Sequence, residues 1–195
     1  MTDPDPNRAP KDTDPMALHA PWRDQYMQDL SAGNKDAGAD KPSDFLGAYW
    51  TDPSADQANH VIVRIGDGAV GGMVLLNRYP YASGHLLAAL ADARPRLLDY
   101  EPDQRAALWR LGEIAVDLIE HTLEPQGVNV GINQGAAAGA GLPGHLHLHV
   151  VPRWGGDVNF MSVVGRVRVI PSALDVMAMR YRATWKNIEE SWRCE

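Results

Sequence analysis

A single cysteine, Cys194, in a chain of 195 residues excludes an internal disulfide and a cysteine-based metal cage. That scarcity agrees with a reducing compartment. No stretch approaches the run of about 20 apolar residues that a membrane span needs, and the first residues lack the basic and apolar regions of a secretory signal. A cytoplasmic protein with no membrane partner is the expectation. Basic residues are outnumbered, 18 Lys and Arg against 25 Asp and Glu, and a net charge of −7 argues against nonspecific nucleic-acid binding, which depends on broad basic surface. A small phosphorylated ligand stays compatible, because a local site can be positive on an acidic protein. What is present, 45% apolar and 22% charged residues, is the balance of a globular domain with a real core.

Residues 1–14 are rich in Asp, Pro, Asn and Lys with almost nothing apolar, which predicts a disordered tail, drawn here to residue 19. Residues 20–58 read as an N-terminal arm and loop: Trp22, Tyr26 and Met27 can dock on the main body, and 31–43 is small and polar with Gly33, Gly38 and Pro42. Residues 59–190 form the expected folded domain. Apolar runs at 61–65 and 73–77 around Gly66-Asp67-Gly68 read as a β-hairpin, and 85–90 as a further strand. Leu108, Leu111, Ile114, Ala115, Leu118, Ile119 and Leu123 recur at helical spacing, with Pro102 in the first turn and Pro125 closing the segment. A short strand at 128–133 leads into a glycine-rich loop at 135–144. A last helix beginning at Ser172 carries Leu174, Met177, Ala178, Tyr181, Trp185 and Ile188 on one face. Antiparallel strands with one long inserted helix and one C-terminal helix define an α+β domain.

Three of the seven histidines stand at two-residue spacing in His145-Leu146-His147-Leu148-His149. In an extended strand they share one face, while Leu146, Leu148 and Val150 share the other. Metal ligation is one reading. Neighbouring pairs lie roughly 6 to 7 Å apart along a strand and the outer pair about 13 Å, so one ion takes two of them and needs outside ligands. A nucleophile with helpers suits all three better: a neutral imidazole attacks phosphorus, and flanking imidazoles stabilise charge and move a proton. The preceding loop has no side chain larger than alanine before Leu142, so the backbone N–H groups of Gly139, Ala140 and Gly141 can approach an anion. It matches neither a P-loop nor a dinucleotide fingerprint. Asn133, entering that loop, is a candidate to orient a histidine or hold ligand.

The chain resembles the histidine-triad superfamily of nucleotidyl hydrolases and transferases. The resemblance rests on Asn77-Arg78-Tyr79-Pro80-Tyr81, Gly84-His85-Leu86, Asn133-Gln134-Gly135, Ala138-Gly139 and His145 to Arg153, in the family's order. Ala20-Pro21-Trp22-Arg23 and Trp154-Gly155-Gly156-Asp157 with Asn159-Phe160 are similar to a bacterial branch containing diadenosine tetraphosphate phosphorylases and hydrolases. The resemblance implies His147 as nucleophile, His149 at the α-phosphate and leaving group, and His145 as support for the strand. It also implies Asn77 at ribose, Asn133 by the phosphate or triad, and His85 and Trp154 in the substrate site. Many members of the branch carry a structural zinc, but the corresponding positions here hold Ser43, Leu46 and Ala93, so neither metal nor cofactor is expected. The implied reaction is cleavage of a dinucleoside polyphosphate through a covalent nucleotidyl-histidine, resolved by water or phosphate, in a homodimer or higher homo-oligomer. The rivals are a nucleotide-binding sensor without turnover and a metal-dependent enzyme using two of the histidines.

Overall fold

Where every residue of two adjacent strands is buried, the sheet must be covered on both faces, and that coverage decides where the histidines lie. The computed structural model describes residues 44–157 and 173–193, all within the unit Gly38–Glu195. The tail at 1–19, the segment at 20–27, the loop at 31–43, Ser172, Asn159, Phe160 and Cys194 lie outside the described residues. The elements are α1 (Phe45–Thr51), β1 (Val61–Ile65), β2 (Gly72–Leu76), β3 (Leu86–Leu90), α2 (Pro102–Leu123), β4 (Gly127–Ile132), β5 (Leu148–Arg153) and α3 (Leu174–Arg193). The strands form one antiparallel sheet in the order β1-β2-β3-β5-β4, an α+β architecture with the expected hairpin and both expected helices.

On one face Val74, Leu76, Leu86, Ala88, Leu148 and Val150 pack against Leu108, Leu111, Ile114, Ala115, Leu118 and Ile119 of α2 and Met177, Ala178, Tyr181 and Trp185 of α3. The apolar stripes read from the sequence are therefore the helices' core faces. Pro102 opens α2, and Glu101 and Gln104 exchange side-chain-to-backbone bonds as a capping box, which satisfies amides the first turn leaves open. Gly112 lets α2 lie close to the sheet, since a Cβ there would come 2.8 Å from Leu148 Cδ1.

The opposite face is where the structure departs from expectation. Val61, Met73, Leu75, Leu87 and Ala89 form a second buried cluster with Leu46, against which Phe45, Tyr49, Trp50 and Leu142 pack. The cover is α1, in the stretch read as arm and loop. Phe-Leu-Gly-Ala-Tyr-Trp-Thr is seven residues, under two full turns, too short for a helical period to show. It is helical because Asp44 caps it, accepting from Gly47 N at 3.0 Å, and because Leu46 is fully buried, worth about 1.5–3 kcal/mol. Arg64 holds the other end, donating to Trp50 O at 2.9 Å and Tyr49 O at 2.6 Å while pairing with Asp56.

The strand borders differ from expectation: β3 begins after His85 and β4 spans Gly127–Ile132, each shifted by one residue, while β5 begins at Leu148, three residues after the expected start at His145. His145 to His147 lie outside the sheet ladder, His145 in a bend, with Leu146 N bonded instead to Arg94 O at 2.8 Å. The alternation survives, since Leu146, Leu148 and Val150 all belong to the main core. β4 is the outer strand and is largely exposed.

Candidate active site

Backbone groups cannot swap donor for acceptor, so those that touch histidine rings here determine where the protons sit. His147 Nδ1 lies 2.8 Å from the carbonyl of His145. A carbonyl only accepts, so Nδ1 carries the proton and Nε2 the lone pair. Nε2 has no bonding partner among the described residues, and no buried side-chain nitrogen or oxygen there is left without one, so this lone pair opens to solvent. The ring is otherwise buried, 6% exposed. Burial holds its pKa below the usual value, partly offset by the bond to His145 O and aided by charge on His145. His147 is thus a neutral imidazole with a free Nε2.

The amide of Tyr81 is a fixed donor, and it points at His85 Nδ1 at 3.0 Å. His85 must therefore hold its proton on Nε2 and donate it to His149 Nδ1, 3.1 Å away. His149 is left with Nε2–H, which faces the side-chain amide of Asn133 at 3.3 Å. The atom placed there is Asn133 Nδ2, and two N–H groups cannot bond each other, so this proton assignment requires the amide to be turned with its oxygen towards the ring. Burial, and secondarily His147, depress the His149 pKa to about 4, so it is neutral at pH 7. The Tyr81 ring stacks over it, centroids 5.7 Å apart and 27° between planes. His147 and His149 meet edge to face at 5.0 Å.

His145, His147, His149, His85, Asn133 and Asn77 thus come together. Asn77 faces His85 Nδ1 at 3.3 Å and accepts from Tyr79 N at 2.9 Å. Gly84 presents His85: its φ of +84° and its contact with Tyr181, whose hydroxyl donates to Gly84 O at 2.7 Å, place His85 against β2. The glycine loop departs from expectation. It closes on a 3-10 turn at Ala136–Ala138, and the amides of Gly139 and Ala140 bond to Ala136 O and Gly135 O. Those two donors serve the turn, while Gly141 remains exposed and unengaged. Trp154 is not brought to the cluster. It follows β5, five residues beyond His149 and roughly 16 Å along the chain, where its amide meets Asp157 at 3.4 Å.

Two contributors were not assigned a role from the sequence. Tyr81 acts through its amide and its ring, and of these only the Tyr-Pro-Tyr pattern was visible. Asp44, bonded to His145 Nδ1 at 2.8 Å, had as its signal an Asp directly before an aromatic and apolar cluster.

A neutral imidazole with an open lone pair, beside a second presenting N–H, is an arrangement capable of nucleophilic attack at phosphorus. Residues 71–156 match the family model of the HIT domain. It is 43% identical over 100 residues to the AP-4-A phosphorylase of Mycobacterium tuberculosis H37Rv, 51% of each chain. Over 89 residues it is 33% identical to the asymmetrical bis(5'-nucleosyl)-tetraphosphatase of Schizosaccharomyces pombe, 46% of this chain and 48% of that one. The chain therefore spans about half the length of these curated relatives. The crystal structure of a zinc-bound histidine triad family protein from Mycobacterium smegmatis superposes with a TM-score of 0.53 at 27% identity, covering 66% of this chain and 86% of that one.

The structural zinc that the family resemblance implies does not fit the residues here. Leu46 is fully buried in an apolar cluster, Ala93 has no donor atom, and both nitrogens of His145 are engaged, by Asp44 and Leu90 O. Among the described residues no three His, Cys, Asp or Glu are arranged to hold a metal ion. No helix there is long and apolar enough to cross a membrane.

Proposed function

We propose that this protein cleaves a phosphoanhydride bond of a dinucleoside polyphosphate, with an adenine dinucleotide as substrate, through a covalent intermediate on His147. The observation that carries this reading is the tautomer of His147, whose Nδ1–H is pinned to His145 O while Nε2 is open. Nε2 attacks the α-phosphorus. The N–P bond forms, the P–O bond to the departing nucleotide breaks, and that oxygen leaves with the electron pair. The ring keeps Nδ1–H and becomes cationic, so its bond to the His145 carbonyl becomes charge-assisted and strengthens as the adduct forms. Water or inorganic phosphate then attacks phosphorus, the N–P bond breaks, and the pair returns to Nε2.

The protonation states favour the substrate class. His149 is neutral, so it offers its Nε2–H to a phosphoryl oxygen as a hydrogen bond rather than acting as a strong acid. An alkoxide leaving group requires an acid. A nucleoside di- or triphosphate does not, because its terminal phosphate has a pKa of about 6. Asn77 is assigned to ribose, and Asn133 and Gly141 to the phosphates.

With diadenosine tetraphosphate, phosphate-dependent formation of ATP plus ADP identifies phosphorolysis, and ATP plus AMP without phosphate identifies hydrolysis. His147→Ala abolishes either one, and full activity in that variant refutes the mechanism. A homodimer is proposed across the open edge of β4. There Val130 lies beside a cavity of about 470 Å³ lined also by Trp109, Val116 and Trp192. A monomer mass in sedimentation equilibrium refutes it.

A further inference from the structure

The first histidine of the triad is held by a residue from outside the sheet. His145 is fully buried, and both ring nitrogens face acceptors: Nδ1 lies 2.8 Å from Asp44 Oδ1 and Nε2 2.8 Å from Leu90 O. The peptide carbonyl cannot donate, so Nε2 carries a proton. The carboxylate calls for a second on Nδ1. An imidazole with two N–H groups is an imidazolium, here paired with a carboxylate 35% exposed at the edge of the site. We infer that Asp44 is a positioning residue: it holds His145 as the imidazolium and, through the His145 carbonyl, sets the Nδ1–H tautomer that leaves His147 Nε2 open. This extends the proposed His147 mechanism and rests on it for its bearing on turnover.

The link is short. Asp44 Oδ1 accepts from His145 Nδ1, His145 Nε2 donates to Leu90 O, and His145 O accepts from His147 Nδ1 at 2.8 Å. The main chain of His145 is held as well, its N bonded to Leu142 O at 3.3 Å and the next amide to Arg94 O at 2.8 Å. The same carboxyl oxygen caps α1, accepting from Gly47 N at 3.0 Å. Glycine at 47 makes the double role possible, because a Cβ there would meet Asp44 Oδ2 and lie 3.1 Å from its Cγ. One carboxylate therefore serves both the helix that roofs the sheet and the histidine whose carbonyl orients the nucleophile.

Asp44→Asn isolates the charge: the amide oxygen keeps the helix cap while the negative partner of His145 Nδ1 is removed. Asp44→Ala removes both. Long-range 1H–15N NMR spectra of the histidine rings read protonation without substrate, and kcat and KM for diadenosine tetraphosphate read turnover. In the wild type His145 shows two protonated nitrogens and His147 only Nδ1–H. In Asp44→Asn His145 falls to the single Nε2–H form, and in Asp44→Ala the pure Nδ1–H signature of His147 is lost. In both variants kcat drops about 10- to 100-fold while KM stays within about twofold, because a misaligned nucleophile costs rate rather than ground-state binding. The melting temperature of Asp44→Asn stays near that of the wild type. A singly protonated His145 in the wild type overturns the inference, as does kcat within twofold of wild type in both variants. If the spectra shift as stated while the wild type cleaves no dinucleotide, the proposed function fails and the Asp44 link to the triad stands.

Discussion

His149 is kept neutral by burial, and the protein's stability must report it. Its pKa is about 4 in the folded chain against 6.5 for an ordinary histidine. Above pH 6.5 the ring is neutral folded and unfolded and contributes nothing to pH dependence. As pH falls below 6.5 the unfolded chain takes up a proton that the folded chain refuses, so stability declines until the folded ring also protonates near pH 4. At pH 5 the unfolded ring is about 97% protonated and the folded ring about 9%, and integrating the difference gives a loss of about 2 kcal/mol, rising to about 3 kcal/mol once the folded ring is protonated as well. A neutral glutamine at 149 has no such term. Urea unfolding of the wild type and His149→Gln, each at pH 7.5 and pH 5.0, isolates it. The wild type should lose about 2 kcal/mol more than the variant on acidification. Equal losses in the two proteins refute a buried neutral His149.

Tyr81→Ala keeps the amide that directs the relay but removes the ring stacked on His149, so the His149 pKa should rise towards its ordinary value in an NMR titration. An unchanged pKa means the ring contributes nothing to its burial. Gly84→Ala places a Cβ 2.7 Å from Tyr181 Oη and against Leu123 at φ +84°, which should cost about 1–3 kcal/mol in urea unfolding. A variant as stable as the wild type refutes that packing.

The elements that were legible in the sequence are those whose period had room to show. Leu108 to Leu123 repeats over enough turns of α2 to define one face, and the β1–β2 pair carries its own turn residues. Strand limits shifted because a ladder ends where its partner ends: His145 and His147 have the spacing of a strand, yet β3 pairs β5 only from Leu148 onward. α1 was missed because its helicity comes from contacts distant in sequence, Leu46 against Met73 and Leu87, with one capping carboxylate. Without α1, the histidine face looked open rather than roofed.

Spacing makes the three histidines equivalent, and what distinguishes them is which partner each ring meets. His145 has two acceptors and needs two protons. His147 has one acceptor and keeps a lone pair. His149 receives a proton bond from His85 and must give one away. Apart from the His145 carbonyl, none of those partners is a neighbour by pattern: Asp44, Leu90 and His85 come from a helix cap, a strand end and the residue before β3. The resemblance to a family singled out the middle histidine, and the hydrogen bonds supply its physical reason. Of the three rings, His147 alone has a nitrogen with neither a proton nor a partner among the described residues, and a nucleophile at neutral pH needs that lone pair.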